Sequence, residues 1–583
     1  DRIREAVVSR LDGETARGHH HRLALALEAS GHGDPEVVGL HFLASGLPER
    51  AAEFFIRAAD AAAETLAFER AAALYRRALG LAPLHPRQEQ SLRTRLGDAL
   101  ASAGRGADAA QAYLDAVAHA SVADALELQR KAAMQFLISG HIDEGLSALK
   151  TVLATVDMTL PTTPTRSLMS LLWRRALLRM RGLKFRQRDL SEVAAADLTR
   201  LDVCWSAGVG LSVVDPIRGA DFQARGLLLS LKAGEPSRIA RSLALEAAHV
   251  ASTGGSTRER SARLLKLAED LARRVDDAYA LAMVTLGHGV AAYLEGRWRD
   301  AQVECDRAES IFRDRCTGVA WELDTAHAFA LWGLSHLGDI AELVRRWPIL
   351  LTEARERGDL YAVMNLSTYL MSVARLASNE PESARADLHA TMSHWSREGY
   401  HVQHNDALWA GVQIELYCGN GEAAWTLIRE SWPALKGSLL LRVQFIRTSM
   451  YFLRARAALA AAAQLPQEPA VERRTLFSVA SHAATKLERE HMPCPAAYAL
   501  MIRGALAALG GDKPSAATLL VESIECFESV QMHLCAAAVR RRLGELIGEP
   551  RGRAEIARSE QWMTDQKIQD PARMASMILA KLS

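Results

Sequence analysis

Aromatic residues are scarce in this 583-residue chain, at 6%, although 49% of its residues are hydrophobic and 24% are charged. That apolar share excludes a disordered chain. Breakers are few as well, with 18 Pro and 38 Gly. Charge of one sign is missing: 70 Lys and Arg face 69 Asp and Glu, for a net +1, so no whole-chain field points at nucleic acid or an anionic membrane. The seven cysteines (Cys204, Cys305, Cys316, Cys418, Cys494, Cys526 and Cys535) never stand closer than nine residues and form no CxxC. This spacing excludes a clustered zinc site and a stapled secreted scaffold, and it fits a reducing cytoplasm. Uncharged runs such as 360–374 stop at fifteen residues, short of the roughly eighteen that a membrane-spanning helix needs. No signal-peptide pattern opens the chain. It begins Asp1-Arg2-Ile3-Arg4-Glu5-Ala6 without Met, so a piece of something longer is expected.

What the chain does have is a period. Leu96-Gly97, Leu100, Gly104, Ala109, Tyr113 and Ala116 place small residues where two helices touch and a glycine where the chain reverses. That spacing matches the tetratricopeptide pattern of helix, tight turn and helix. Gly140, Gly145, Leu149 and Val152 repeat it thirty-six residues later, and Leu66, Ala71, Tyr75, Ala78 and Pro83 supply the second helix of the preceding unit. The pattern returns at Gly289, Gly296, Ala301, Cys305 and Ala308, then at Gly338, Asn379, Gly419 and Gly511. The intervals are 42, 41, 40 and 92 residues, the last with room for two units, one of them the helix around 456–463. A lone hairpin cannot cover its apolar face, whereas stacked hairpins share a continuous core. Alanine at the contacts permits close approach and favours helix, which accounts for the low aromatic content. The expected fold is all-α, a right-handed superhelical solenoid of tetratricopeptide-like hairpins.

Two stretches break the rhythm. After Pro161-Thr-Thr-Pro164 come Arg166, Arg174, Arg175, Arg179, Arg181, Lys184, Arg186 and Arg188, eight cations in twenty-three residues, with no acid before Asp189. Leucines and Trp173 are interleaved, so an amphipathic cationic helix is expected. Its arginines, with Arg174, Arg175, Arg179 and Arg181 as the candidate contact segment, are either solvated and paired within the chain or turned to an acidic partner, lipid or nucleic acid. The run Ser252-Thr-Gly-Gly-Ser-Thr-Arg258 reads as a turn. The resulting division is a helical segment at 1–50, a first repeat block at 51–157, a basic insert at 158–200, a second block at 201–548 and capping helices at 549–583.

Catalytic motifs are missing. Gly511-Asp-Lys-Pro-Ser515 lacks the upstream glycine of a phosphate loop, and Arg188-Asp189-Leu190 lacks the His and DFG of a kinase. The consecutive His19, His20 and His21 point about 100° apart on a helix and cannot share one ion. No HExxH, GxSxG or Cys–His constellation occurs, so no catalytic residue, metal site or cofactor is expected. In stacked hairpins the first helices line the concave surface. Aligning on the turns puts Trp332, Tyr369, Trp409 and Gln413 there, as a ligand platform or as fillers of gaps in an alanine-rich stack. The Lys and Asn clamp of chaperone-tail binders is not seen, because Asp98, Met134 and Val290 stand at the relevant positions.

Three stretches carry a family resemblance. Asp1–Ala6, Leu23-Ala-Leu-Ala-Leu-Glu28, His41, Gly46, Glu49-Arg-Ala-Ala52 and Leu66–Ala72 resemble the segment after the ATPase core of large bacterial regulators. In these, a Ser/Thr protein kinase is fused to a signal-transduction NTPase with a tetratricopeptide tail. Leu172-Trp-Arg-Arg175, Cys204-Trp-Ser206, Arg218–Gln223, Arg315–Asp324 and Trp562–Arg573 resemble that tail. The resemblance implies that kinase and phosphate-loop modules lie upstream and that this stretch is a non-catalytic sensory or scaffolding arm. The arm is expected to bind a protein or ligand and so regulate those modules, which are themselves expected protein partners; nucleic acid and a membrane span are not expected. The alternatives are a free-standing peptide-binding adaptor and, further off, a helical enzyme.

Overall fold

The computed structural model describes residues 11–81, 83, 85–212, 214–465, 471–490, 492–548 and 550–582. The opening Asp1–Ala6 lies outside the described residues. Among those described, twenty-nine α-helices, four short 3-10 segments and no strand occur. Within each unit many successive helices pack on one another, and the chain is an all-α helical repeat solenoid. Prolines sit in the first turn of many helices, among them Pro48, Pro86, Pro216, Pro236 and Pro493, where the missing N–H has no helical acceptor to lose. The expected turns at Gly104, Gly140, Gly296, Gly338, Gly419 and Gly511 all have φ between 75° and 90°, and Asn379 has φ 56°. This is the left-handed conformation that ends a helix and starts a reversal.

The chain divides into two compact units. Unit 1 runs to Ser139 and includes Glu144–Thr159 and Gly318–Ala320; unit 2 holds Gly140–Asp143, Leu160–Thr317 and Trp321–Ser583. The helices of the basic segment and of the expected cap therefore belong to unit 2. In unit 1 the stacking is written in a repeated polar triplet. Asp60 accepts hydrogen bonds from Tyr75 of its own hairpin at 2.6 Å and from Arg95 of the next at 2.9 Å. Asp98 does the same with Tyr113 at 2.7 Å and Lys131 at 2.8 Å. Each aspartate thus ties its hairpin internally and to the following one, around a core of Phe42, Phe55, Leu92, Leu100 and many alanines.

Unit 2 opens with helix Pro164–Arg181, capped by Thr163, which buries Leu171 and Leu178 against helix Pro216–Ala233. Two of its arginines, Arg174 and Arg175, are half-buried and pair within the unit. Arg174 Nε donates to Asp221 at 2.9 Å, Arg175 lies 4.0 Å from Glu246 and donates to the His249 carbonyl, and Arg181 donates to the carbonyls of Gly182, Lys184 and Leu231. Arg166, Arg179 and Arg181 are exposed, and the solvent side also carries Met169, Leu172, Trp173 and Met180.

Second helices such as Arg258–Val275 and Ile340–Arg357 are amphipathic. First helices such as Ala320–Leu337 and Val402–Tyr417 are buried on nearly all sides, the pattern of helices inside a fold. They are covered because unit 2 closes on itself. Val402 N–H donates to the Val214 carbonyl at 3.3 Å, and Gln444 N–H to the Ser252 carbonyl at 3.0 Å. At the far end, Gln569 N–H donates to the Ala377 carbonyl at 2.9 Å, and Arg573 donates to Asn379 at 2.8 Å.

Two consequences are testable. A Cβ at Gly421 would meet the carbonyl carbon of Ala460 at 2.5 Å, and helix backbone cannot yield as a side-chain tip can. Gly421→Ala is expected to destabilise unit 2 by about 1–3 kcal/mol, read as a lower urea midpoint. Arg174→Met leaves Asp221, 3% exposed, with its partner removed. A loss of about 3 kcal/mol is expected; an unchanged midpoint would show that the pair is not holding the basic helix down.

Candidate functional site

The inner helices of unit 2 surround a cavity of about 230 Å³. Helix Ala320–Leu337 contributes Trp321, Thr325, Phe329 and Trp332, spaced to share one helical face. Helix Ala278–Leu294 adds Met283, Leu286 and Tyr293, and the start of helix Gln444–Gln464 adds Phe445 and Ser449. The rings interlock edge to face: Tyr293 and Phe329 lie 5.2 Å apart at 84°, Phe329 and Trp332 5.0 Å at 68°, and Trp332 and Tyr369 5.8 Å at 87°. This is the arrangement favoured by the aromatic quadrupole.

Tyr369 reaches the cavity through a break in its helix. The uncharged run 360–374 forms helix Leu360–Ser367, an extended Thr368 and a 3-10 turn Tyr369–Met371 before helix Ser372–Ala377. Tyr369 itself has φ 50°, a left-handed conformation that a bulky side chain adopts only when its surroundings hold it there. The break turns its ring between Trp332, Trp409 and Phe445.

Polar groups stand among these rings. Asp406 lines the cavity at 6% exposure, and its carboxyl accepts a hydrogen bond from Asn405 Nδ2 at 3.3 Å. Burial pushes its pKa up to about 7. The Asn405 Oδ1 atom and the indole N–H groups of Trp321 and Trp332 are buried without a hydrogen-bond partner among the described residues. Such groups occur elsewhere in the chain as well, and further ones border this cavity, among them Thr325 Oγ1 and Asn365 Nδ2. His249, 3.2 Å from Ser212 Oγ, is held neutral: burial, with Arg175 behind it, depresses its pKa to about 3.

Acid accumulates around this cavity. Burial raises Glu322 to about 7, with the Tyr279 hydroxyl donating to it at 2.7 Å. Asp324 and Asp359 form a coupled pair, both raised by burial, although Arg357 bonds Asp324 at 2.7 Å. Among the described residues no Lys or Arg lines the cavity.

The four side chains expected on a groove sit inside unit 2. Trp332 and Tyr369 line the cavity. Trp409, 3% exposed, packs behind Tyr369 at 5.3 Å, and Gln413 accepts a hydrogen bond from Ser372 at 3.0 Å. Of the basic segment, Arg174, Arg175 and Arg181 bond within unit 2, and Arg179 borders a separate cleft with Arg260, Arg263 and Glu246. Sequence reasoning passed over Tyr293, Trp321, Phe329, Phe445 and Asp406. The 321, 325, 329, 332 spacing was a readable signal, as was an acid three residues before Trp409. Among the described residues no group of His, Cys, Asp and Glu is placed to hold a metal ion, and no helix is long and apolar enough to cross a membrane.

No family model matches the chain, and no curated protein does. Among solved structures it is similar to the APC/C hetero-tetramer Cut9–Hcn1, at 12% identity over 90% of this chain and 95% of that chain with a TM-score of 0.34. It is also similar to Ypp1, at 9% identity over 93% and 88% with a TM-score of 0.34. Superpositions this loose carry no argument about function.

The buried ionisable groups give a pH signature. Glu322 and Asp406 have folded pKa values above the unfolded values of about 4, so their contribution to stability is complete below pH 4 and is lost as pH rises through about 7. His249 and His336, both lowered to about 3 by burial, contribute above their unfolded value of about 6.5 and lose that contribution as pH falls. Between pH 4 and 6.5 the two sets oppose each other; above 6.5 the acids act alone. Stability is expected to fall from pH 6.5 to 8 by on the order of 1 kcal/mol per acid. Asp406→Asn should flatten that slope in urea titrations.

Proposed function

We propose that this chain is a non-catalytic sensory repeat arm that takes a small ligand into the cavity of unit 2. The observation that carries this reading is the cavity itself: an aromatic-lined space, with orphaned polar groups converging on it, inside a unit otherwise packed with alanine. Apolar pockets with a few convergent polar groups are the usual form of small-molecule sites. A catalytic reading has less support. Ser212 and His249 are adjacent, but the Ser212 hydroxyl donates to the Gly208 carbonyl of its own helix, and a histidine with pKa about 3 is a poor general base at neutral pH.

Closure of unit 2 explains how occupancy becomes a signal. The strands of backbone contact at Val214–Val402 and Ser252–Gln444 flank cavity residues Ser212, Ser252, Val402 and Val443. A ligand that touches both sides favours the closed arrangement by its differential affinity. The receivers are the upstream kinase and NTPase modules implied by the sequence resemblance, or another protein docked on the repeats.

The test is retention. Chain incubated with a cell-derived metabolite extract, washed and denatured should release a small molecule in stoichiometric amount, identified by mass spectrometry, and Trp332→Ala and the cavity-filling Val290→Phe should release little. Equal release from wild type and both folded variants would refute the cavity as the site. A coding sequence lacking upstream kinase and phosphate-loop motifs would refute the regulatory connection.

A further inference from the structure

The cavity's chemistry selects among ligands, an inference that rests on its being a ligand site. A carboxyl group is its strongest polar feature, and the charges behind the walls are mostly of the same sign. Asp406 stands at the cavity, while Glu322, Asp324 and Asp359 are buried in the helices that form it. Against these, Arg357 is bonded to Asp324. Arg175 stands behind His249 and faces Glu246. Arg456, 6.0 Å from the Trp409 ring centre, donates to the Met577 carbonyl.

The walls point the same way. Five rings, those of Tyr293, Phe329, Trp332, Tyr369 and Phe445, present π faces and edges around the space. Aromatic faces with an adjacent carboxylate attract an organic cation by quadrupole and charge together. Asn405 Oδ1 is a second acceptor beside Asp406 with no donor of its own. Two acceptors ask for N–H donors, which a protonated amine has and a quaternary ammonium lacks. The indole N–H groups of Trp321 and Trp332 ask in turn for an acceptor on the ligand body. The volume of about 230 Å³ lies below the range of drug-sized pockets, so the body is small.

We propose that the cavity is a receptor site for a small protonated amine on an apolar, ring-sized body, with Asp406 as its counter-ion and Tyr293, Trp332, Tyr369 and Phe445 as its aromatic cage. A lone carboxylate in this setting is costly, which is why burial holds Asp406 partly protonated near neutrality. The incoming ammonium supplies the missing charge, so Asp406 ionises as the ligand docks and a proton leaves. The backbone conformation of Tyr369 fits this role, since strained geometry of that kind persists where a side chain must be aimed.

The experiment titrates the full chain at pH 7 with three matched probes, 2-phenylethylamine, 2-phenylethanol and 3-phenylpropionate, by calorimetry and by tryptophan fluorescence. The amine is expected to bind at least about tenfold tighter than the alcohol, and the carboxylate not measurably. Asp406→Asn should remove that preference while leaving the alcohol's affinity unchanged, and Phe445→Leu, a milder change, should reduce it. Calorimetry in buffers of different ionisation enthalpy should show proton release on amine binding to wild type and none in Asp406→Asn. Equal affinity for amine and alcohol, or an amine preference that survives in Asp406→Asn, overturns the counter-ion inference and leaves the cavity as a site for neutral ligands. Failure of all three probes at millimolar concentration overturns both readings.

Discussion

A two-helix hairpin has two apolar faces and only one internal partner. Everything in this chain follows from that shortfall. Stacking covers the second face, and alanine and glycine at the contacts bring helix backbones close enough for the cover to be complete, as where Gly421 meets the Ala460 backbone. In unit 2 the requirement goes further, because the first helices are buried on nearly all sides and have cover on the inner side too. The unit meets it by bringing segments almost two hundred residues apart into backbone contact, Val214 with Val402 and Ser252 with Gln444. A cavity lined by rings is what remains where those inner faces do not quite meet.

The same closure explains the electrostatics. Glu322, Asp324, Asp359 and Asp406 lie on first helices or at their starts. An open groove would leave such groups in water with ordinary pKa values. Enclosed, they are raised, and neighbouring histidines are lowered, because the charged form of each has lost its solvent. Four acids held in one layer with little compensating cation are a standing source of instability. That arrangement is hard to rationalise as packing alone and is natural for a layer that meets positive charge from outside.

Much of the architecture was legible. Gly104, Gly140, Gly296, Gly338, Gly419 and Gly511 announce the reversals because a left-handed residue has few alternatives, and Asn379 could be read with them for the same reason. The inner side of helix Ala320–Leu337 could be read from its phase relative to the turn, a local property, whereas Tyr369 reaches the cavity through a break in its helix. Other features were not. For the arginines of helix Pro164–Arg181 the sequence left pairing within the chain and contact with a partner both open; Arg174 and Arg175 turn to Asp221 and Glu246, forty-seven and seventy-one residues away, while Met169, Leu172, Trp173 and Met180 stand exposed beside Arg179. Amphipathicity tells that a helix has two faces; which face is covered depends on the partner. The break at Thr368–Tyr369 was hidden as well, because no proline or glycine marks it and surrounding rings impose it.

The division is thus one of range. Helices, turns, caps and the order of hairpins arise from contacts within about forty residues, and the amino-acid sequence determined them by itself through alanine spacing, left-handed turn residues and prolines in first helical turns. Whether the inner surface is an open groove or a closed cavity, whether Asp406 is solvated or buried, and whether the basic segment faces water or its own unit were decided by the tertiary structure. Those outcomes depend on which distant backbone groups meet. A repeat contacts its neighbours whatever the array does, so the local pattern is the same in an open solenoid and in one that has closed.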